Sequence, residues 1–141
     1  MTLVWIAMGL LAVGALLVVL ARRRLLVVTV RGDSMRPSFA DGDVLLAFTG
    51  RRPAVGDVVV FRHPIRDGRG PVHLVKRVAA VAGDPVPADI RRIVDCDLVP
   101  PRRLVVSGDN PTGLDSRRLG FIDVGEVSAV VGQRLMPARM R

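Results

Sequence analysis

Ser34 and Lys76 are the two side chains in this sequence whose types could together perform nucleophilic chemistry. Ser34 lies in Gly32-Asp33-Ser34-Met35-Arg36-Pro37-Ser38-Phe39, between a run of β formers and the turn Asp41-Gly42-Asp43. A hydroxyl at the end of a rigid element, with small neighbours, is placed for attack on a substrate backbone, but it needs a base. Lys76 is the single lysine beside twenty arginines. Arginine cannot lose its proton in a protein, whereas a lysine in a dry pocket can become a neutral amine and accept one. An arginine-rich composition alone would also leave lysine rare. The neighbourhood separates the two explanations, because His73-Leu74-Val75-Lys76-Arg77-Val78-Ala79-Ala80-Val81 is apolar and strand-like, a costly place for a cation. The same surroundings would lower its pKa toward the range in which a base operates.

The elements that must position these groups are short strands behind an apolar span. Thr2 to Ala21 carries no charged residue, and twenty helical residues reach about 30 Å, the thickness of a bilayer core. Trp5 near one end and Arg22-Arg23-Arg24 at the other fit a retained membrane helix better than a cleaved leader, whose positive charge would come first. We therefore expect residues 1–24 to form an anchor with a basic flank, and residues 25–141 to form one domain. By the positive-inside rule the three arginines would keep that domain in the cytoplasm. Strands are expected at Leu25–Val30, Val44–Phe48, Val58–Phe61, Val72–Val81, Leu104–Ser107 and Val127–Val131, divided by turns at 41–43, 56–57, 67–71 and 83–85. No helical period is evident after residue 24. Asp84 to Pro101, with four prolines, reads as a surface excursion, and Cys96 within it as structural. The fold class is thus mostly β, a small antiparallel β domain with one N-terminal transmembrane helix.

The net charge of +8 suits anionic membrane lipid. Scattered arginines without tyrosine or a helical basic stripe argue against nucleic acid. One cysteine allows no internal disulfide, and no metal cluster or phosphate loop is visible, so neither a metal nor another cofactor is expected.

Five segments in order carry a family resemblance. The Ser34 segment, Gly42-Asp43-Val44-Leu45-Leu46, Gly56-Asp57-Val58-Val59-Val60-Phe61 and Val75-Lys76-Arg77-Val78-Ala79-Ala80-Val81-Ala82-Gly83-Asp84 resemble type I signal peptidases, and Ser107-Gly108-Asp109-Asn110 through Asp115-Ser116-Arg117 resembles their last box. The resemblance implies a membrane-bound serine endopeptidase of signal-peptidase type that removes signal peptides from exported preproteins. Ser34 would be nucleophile and Lys76 general base, with the Ser34 N–H meeting the oxyanion. It further implies that Asp109 pairs with Arg77 and Asp115 with Arg117. Small residues before the scissile bond would enter pockets formed by Val28, Val30, Met35, Phe39, Val59 and Val75. Each of these also reads simply as core.

Two positions depart from the pattern. Gly32 stands where many relatives carry a second oxyanion donor, and Gly113 where a serine commonly orients the lysine, in a box one residue short. Thr112 is a substitute hydroxyl for that task. His73 is a rival base, as in a related branch, but an odd separation from Lys76 places it on the other strand face. His63, before Pro64, reads as a turn residue. The family orientation places residues 25–141 outside the plasma membrane, against the arginine rule. A specialised peptidase for pilins or secreted peptides, or an inactive membrane interaction protein, are the alternatives. A self-cleaving repressor is a further one, but it would carry a DNA-binding element and no membrane span. Oligomeric state is not legible.

Overall fold

The computed structural model describes residues 2–64 and 72–138, so the turn expected at 67–71 lies outside the described residues. An uninterrupted apolar sequence gives α1, Thr2–Arg22, which is long and apolar enough to cross a membrane and is exposed throughout residues 4–22. Two residues later the chain enters β1, Leu25–Thr29. The valine-rich runs become β2, Val44–Phe48, β3, Val58–His63, and β4, Val72–Val81, followed by α2, Ala88–Val94, and β5, Arg103–Ser107. A short α3, Ser116–Leu119, then β6, Ile122–Asp123, and β7, Val127–Met136, complete the chain. His63 closes β3 rather than lying in a turn.

All strands join one antiparallel sheet in the order β1-β2-β7-β3-β4-β5-β6. In a flat sheet four strand spacings would separate β1 from β4 by about 19 Å. Yet the residues after β1 touch β4, so the sheet curls over on itself. Register shifts in the β2–β7, β3–β7 and β4–β5 pairs supply the bends. Inside the curl Val59, Phe61, Val78, Leu104, Val106, Ile122 and Val130 form the main core. Burying each such side chain contributes about 1.5–3 kcal/mol.

Three expectations need correction. The excursion from Asp84 to Pro101 is no mere surface loop: it carries α2 and buries Val86, Ile90 and Val99 against Ala80 and Val105 as a second core. Its prolines hid a helix of only two turns, which starts after Pro87 and stops at Asp95 in a left-handed conformation. α3 escaped notice because four residues hold no period, and its start is fixed by a side chain, Asp115 accepting from the Arg117 N–H at 3.0 Å. β7 runs five residues past Val131, through Gly132-Gln133-Arg134, because pairing with β2 outweighs polar composition.

Gly132 allows the Phe48 ring to lie across β7, since a Cβ there would come within 2.2 Å of the ring. Gly132→Ala should therefore destabilise the domain by about 1–3 kcal/mol, as overpacking does. Thermal unfolding in detergent should show a lowered midpoint, partly restored by Phe48→Leu in the same chain.

Candidate active site

The segment after β1 is tied down from both sides. Val30 N–H donates to Asp43 O at 2.8 Å, Gly32 N–H to Asp41 Oδ1 at 2.7 Å, and Met35, 1% exposed, fixes the segment in the core. Gly32 has φ of +80°, and a Cβ there would meet nothing within 4 Å. Glycine is needed for its backbone conformation, not for the room it leaves. Because its N–H is taken by Asp41, Gly32 is no free oxyanion donor. No partner for the Ser34 N–H is found among the described residues.

Lys76 enters from β4, opposite Val59 of β3, and is 2% exposed. Its Nζ and the Ser34 Oγ are hydrogen-bonded. Burial pushes the lysine pKa down, with Arg117 acting in the same sense, while Asp115 and Asp109 pull it up. An amine so placed can lose its proton more readily than an exposed one and take another from an adjacent hydroxyl.

The turn after β5 closes over this pair. Asn110 N–H donates to Ser34 O at 3.1 Å, and Asn110 Nδ2 to Asp33 O at 3.1 Å. A Cβ on Gly108 would lie 2.6 Å from Ser34 O, so only glycine lets the turn approach this closely. Asp115, 1% exposed, accepts from the Gly108 N–H at 3.0 Å and from Arg117 at 2.5 Å. Burial opposes its charge, but the Arg117 guanidinium and the N–H groups of Gly108 and Arg117 hold its carboxyl below the usual range. Asp109 takes two hydrogen bonds from Arg77, at 2.8 and 2.7 Å, and these hold its carboxyl down against burial. Both pairs suggested by resemblance are thus present as contacts.

Gly113 lies directly beside the pair. A Cβ there would sit 3.0 Å from Ser34 Cβ and 3.5 Å from Lys76 Nζ. Thr112 does not replace the missing hydroxyl: its Oγ1 is exposed and donates to Asn110 Oδ1 at 3.0 Å. Among the described residues, Ser34 is the one hydrogen-bond partner of the amine.

A cleft of about 230 Å³ leads to Ser34 and Lys76, lined by Val28, Val30, Met35 and Val75 among others. Val59 and Phe39 are not among the residues that line this cleft, although Val59 pairs with Lys76 across the sheet. Val59 is fully buried in the core, and Phe39 sits under the Arg134 guanidinium, 5.4 Å from its ring. His73 is exposed on the far face from Lys76 but lines the outer part of the cleft.

Asn110 and Asp43 were not anticipated as site residues. Asn110 sits in the motif Ser107-Gly108-Asp109-Asn110, but its spacing from Ser34 gives no hint of contact. Asp43, 1% exposed, accepts from the N–H groups of Ala40 at 2.9 Å and Ala138 at 2.6 Å and from Arg134 at 3.0 Å. Burial opposes its ionisation, yet these donors hold its carboxyl below the usual range. It staples the end of β7 to the segment after Ser34.

Residues 2–94 match the family model described as signal peptidase, peptidase S26. No curated protein matches the chain.

Because this is the single lysine, selective ¹⁵N labelling yields one Nζ signal. It should titrate below the ordinary lysine value, and Asp115→Asn should lower it further by removing an attracting charge. A depressed lysine pKa means that the unfolded chain binds the extra proton. Stability should therefore rise with pH between the folded pKa and the ordinary one. Lys76→Met should remove that dependence and raise stability near neutral pH by on the order of 1 kcal/mol. Chemical denaturation across the pH range reads both.

Proposed function

The chain belongs to the signal peptidase, peptidase S26, family, and from that premise we propose that it is a membrane-bound serine endopeptidase cleaving N-terminal signal peptides with Ser34 as nucleophile and Lys76 as general base. The observation that carries this reading is the hydrogen bond between a buried lysine with a depressed pKa and a serine at the end of a strand. Lys76, neutral at rest, takes the Ser34 proton as Oγ attacks the scissile carbonyl. The resulting ammonium returns a proton to the leaving amine. A water then gives one proton to Lys76 as it attacks the ester, and the ammonium passes that proton to the departing Oγ, restoring Ser34 and the neutral amine. The Ser34 N–H, without a partner among the described residues, supports a role in meeting the developing oxyanion. Arg77–Asp109 and Arg117–Asp115 act by positioning, since neither pair touches the reacting oxygen.

Substrate binding is set by sheet edges. β1 ends the sheet on one side, and β5 pairs with β4 only from Arg77 onward, so Val72–Lys76 also has an unpaired edge. The cleft runs between these two edges. An extended peptide laid there would gain main-chain hydrogen bonds with little demand on sequence. The cleft, about 230 Å³ and lined by Val30, Met35 and Val75, is small enough to favour small side chains near the cleaved bond. Phe39 and Val59 have no part in this pocket. α1 is proposed as a single-pass anchor in the plasma membrane, with residues 25–141 on the extracytoplasmic side, where exported preproteins emerge.

Lys76→Arg should lower preprotein cleavage by detergent-solubilised protein roughly 10²–10⁴-fold, although charge is kept. Ser34→Ala should do the same. Substantial cleavage by either variant would sink the mechanism. The domain should also be digested when protease is added to intact protoplasts, and full protection would reverse the proposed topology.

A further inference from the structure

The end of α1 does not run into β1 unsupported. Thr49 N–H, from the turn between β2 and β3, donates to Arg24 O at 2.9 Å, and the Thr49 hydroxyl lies 3.4 Å from Arg23 O. Gly50, with φ of +72°, turns the chain there, just ahead of Arg51 and Arg52. Arg24 and Arg51 line the same open cleft of about 390 Å³, with Phe48, Thr49 and Gly50. Arg51 and Arg52 line the next cleft, and Arg52 shares a third with Arg102.

No carboxylate lines these three clefts. Arg51 reaches Asp57 only at 3.7 Å and stays 55% exposed, and Arg102 reaches Asp123 only at 4.0 Å. Arg22, Arg23, Arg24 and Arg52 have no acidic partner within 4.0 Å among the described residues, and all are exposed. Surface arginines are usually interspersed with acids, so a strip in which, among the described residues, only Arg51 and Arg102 have a loosely held one keeps most of its positive field. Its location decides the partner. A helix that crosses a bilayer ends at the headgroup layer, and the hydrogen bonds to Arg23 and Arg24 hold Arg51 and Arg52 at that level.

We propose that Arg24, Arg51 and Arg52, flanked by Arg22 and Arg23, form a docking site for the phosphates of anionic phospholipid headgroups. Guanidinium groups match phosphate oxygens bidentately, and the turn is held by backbone bonds, so little order is lost on binding. The contact seats the domain on the bilayer in one orientation. It also gives the arginines after α1 a use other than marking the cytoplasmic side. This rests on α1 as a membrane anchor, not on the peptidase chemistry.

The test uses the full chain in nanodiscs, with Cys96→Ala and Val55→Cys, the cysteine carrying a donor fluorophore beside the arginine turn. Energy transfer to acceptor-labelled headgroups is compared in phosphatidylcholine discs and in discs with about 30% phosphatidylglycerol, with and without about 0.5 M salt, which shortens the range of the attraction. Transfer should be higher in the anionic discs and fall with salt. Arg51→Gln with Arg52→Gln should lower it well toward the neutral-disc value, since each arginine at an anionic surface is worth about fivefold in association. Arg92→Gln, on α2, should leave it unchanged. Transfer that ignores lipid composition, or a double variant that behaves as the parent, would overturn the proposal. So would millimolar inorganic phosphate reproducing the effect in neutral discs. Failure of the chain to stay with the discs in high salt would instead mark α1 as no anchor.

Discussion

Burying an amine is costly unless it loses its proton or finds a partner, and Lys76 has been given one hydroxyl and no carboxylate in contact. The two nearest acids are both committed elsewhere, Asp109 to Arg77 and Asp115 to Arg117 and Gly108. Their charges still attract the ammonium, but at a distance and partly cancelled by the arginines they bind. Burial is therefore the leading influence on the lysine, and its pKa falls. A direct salt bridge in the same place would have raised it. The arrangement keeps acids close enough to build the loop and occupied enough not to hold the proton.

That arrangement depends on a sheet that closes on itself. Ser34 comes just after an edge strand and Lys76 belongs to an inner one, with β2, β7 and β3 between them in the sheet. The bends that bring them together sit at irregular pairings, including the β2–β7 pair that Phe48 and Gly132 share. Two further ties then fix the Ser34 segment. The turn after β5 holds its start through Asn110, and the end of β7 holds Ser38 to Asp43 through Arg134 and the Ala138 N–H. Parts of the chain that are far apart in sequence thus converge on the segment that carries Ser34.

Much of this was legible in the sequence, and the exceptions have physical causes. Valine runs bounded by Gly-Asp turns located five of the seven strands closely, because a strand half-buried in a sheet leaves a local compositional mark. β6 is two residues long and leaves none. α2 was hidden among prolines that cap rather than interrupt it, and Ile90 and Val99 look unremarkable until β4 and β5 lie beneath them. At the site, Ser34 and Lys76 stood out by type and neighbourhood. Asn110 and Asp43 did not, because what matters about them is which backbone atoms they reach, and that is decided by the curl. Val59 shows the limit from the other side: an apolar residue in a motif reads equally as pocket or core, and only its position opposite Lys76 inside the sheet makes it core.

Gly113 sharpens what the geometry demands of the lysine. Where an orienting hydroxyl is expected, the chain has no side chain, and Thr112 turns its own hydroxyl toward Asn110. Confinement contributes to its orientation. Lys76 is fixed at its base by pairing with Val59 in the sheet, and its tip is bounded by Gly108 and Gly113, each of whose Cβ positions falls within 3.6 Å of Nζ. Backbone packed this closely leaves the four-carbon stem few rotamers, which helps point the amine at Ser34. A hydroxyl at Gly113 would hold the amine more firmly, but it would also hydrogen-bond the charged form and raise the pKa that burial lowers. Its Cβ would in addition press on Ser34 at 3.0 Å. Glycine at this position is thus compatible with a neutral lysine, provided that the loop carrying it stays in place, which is the task of Asp115 and Arg117.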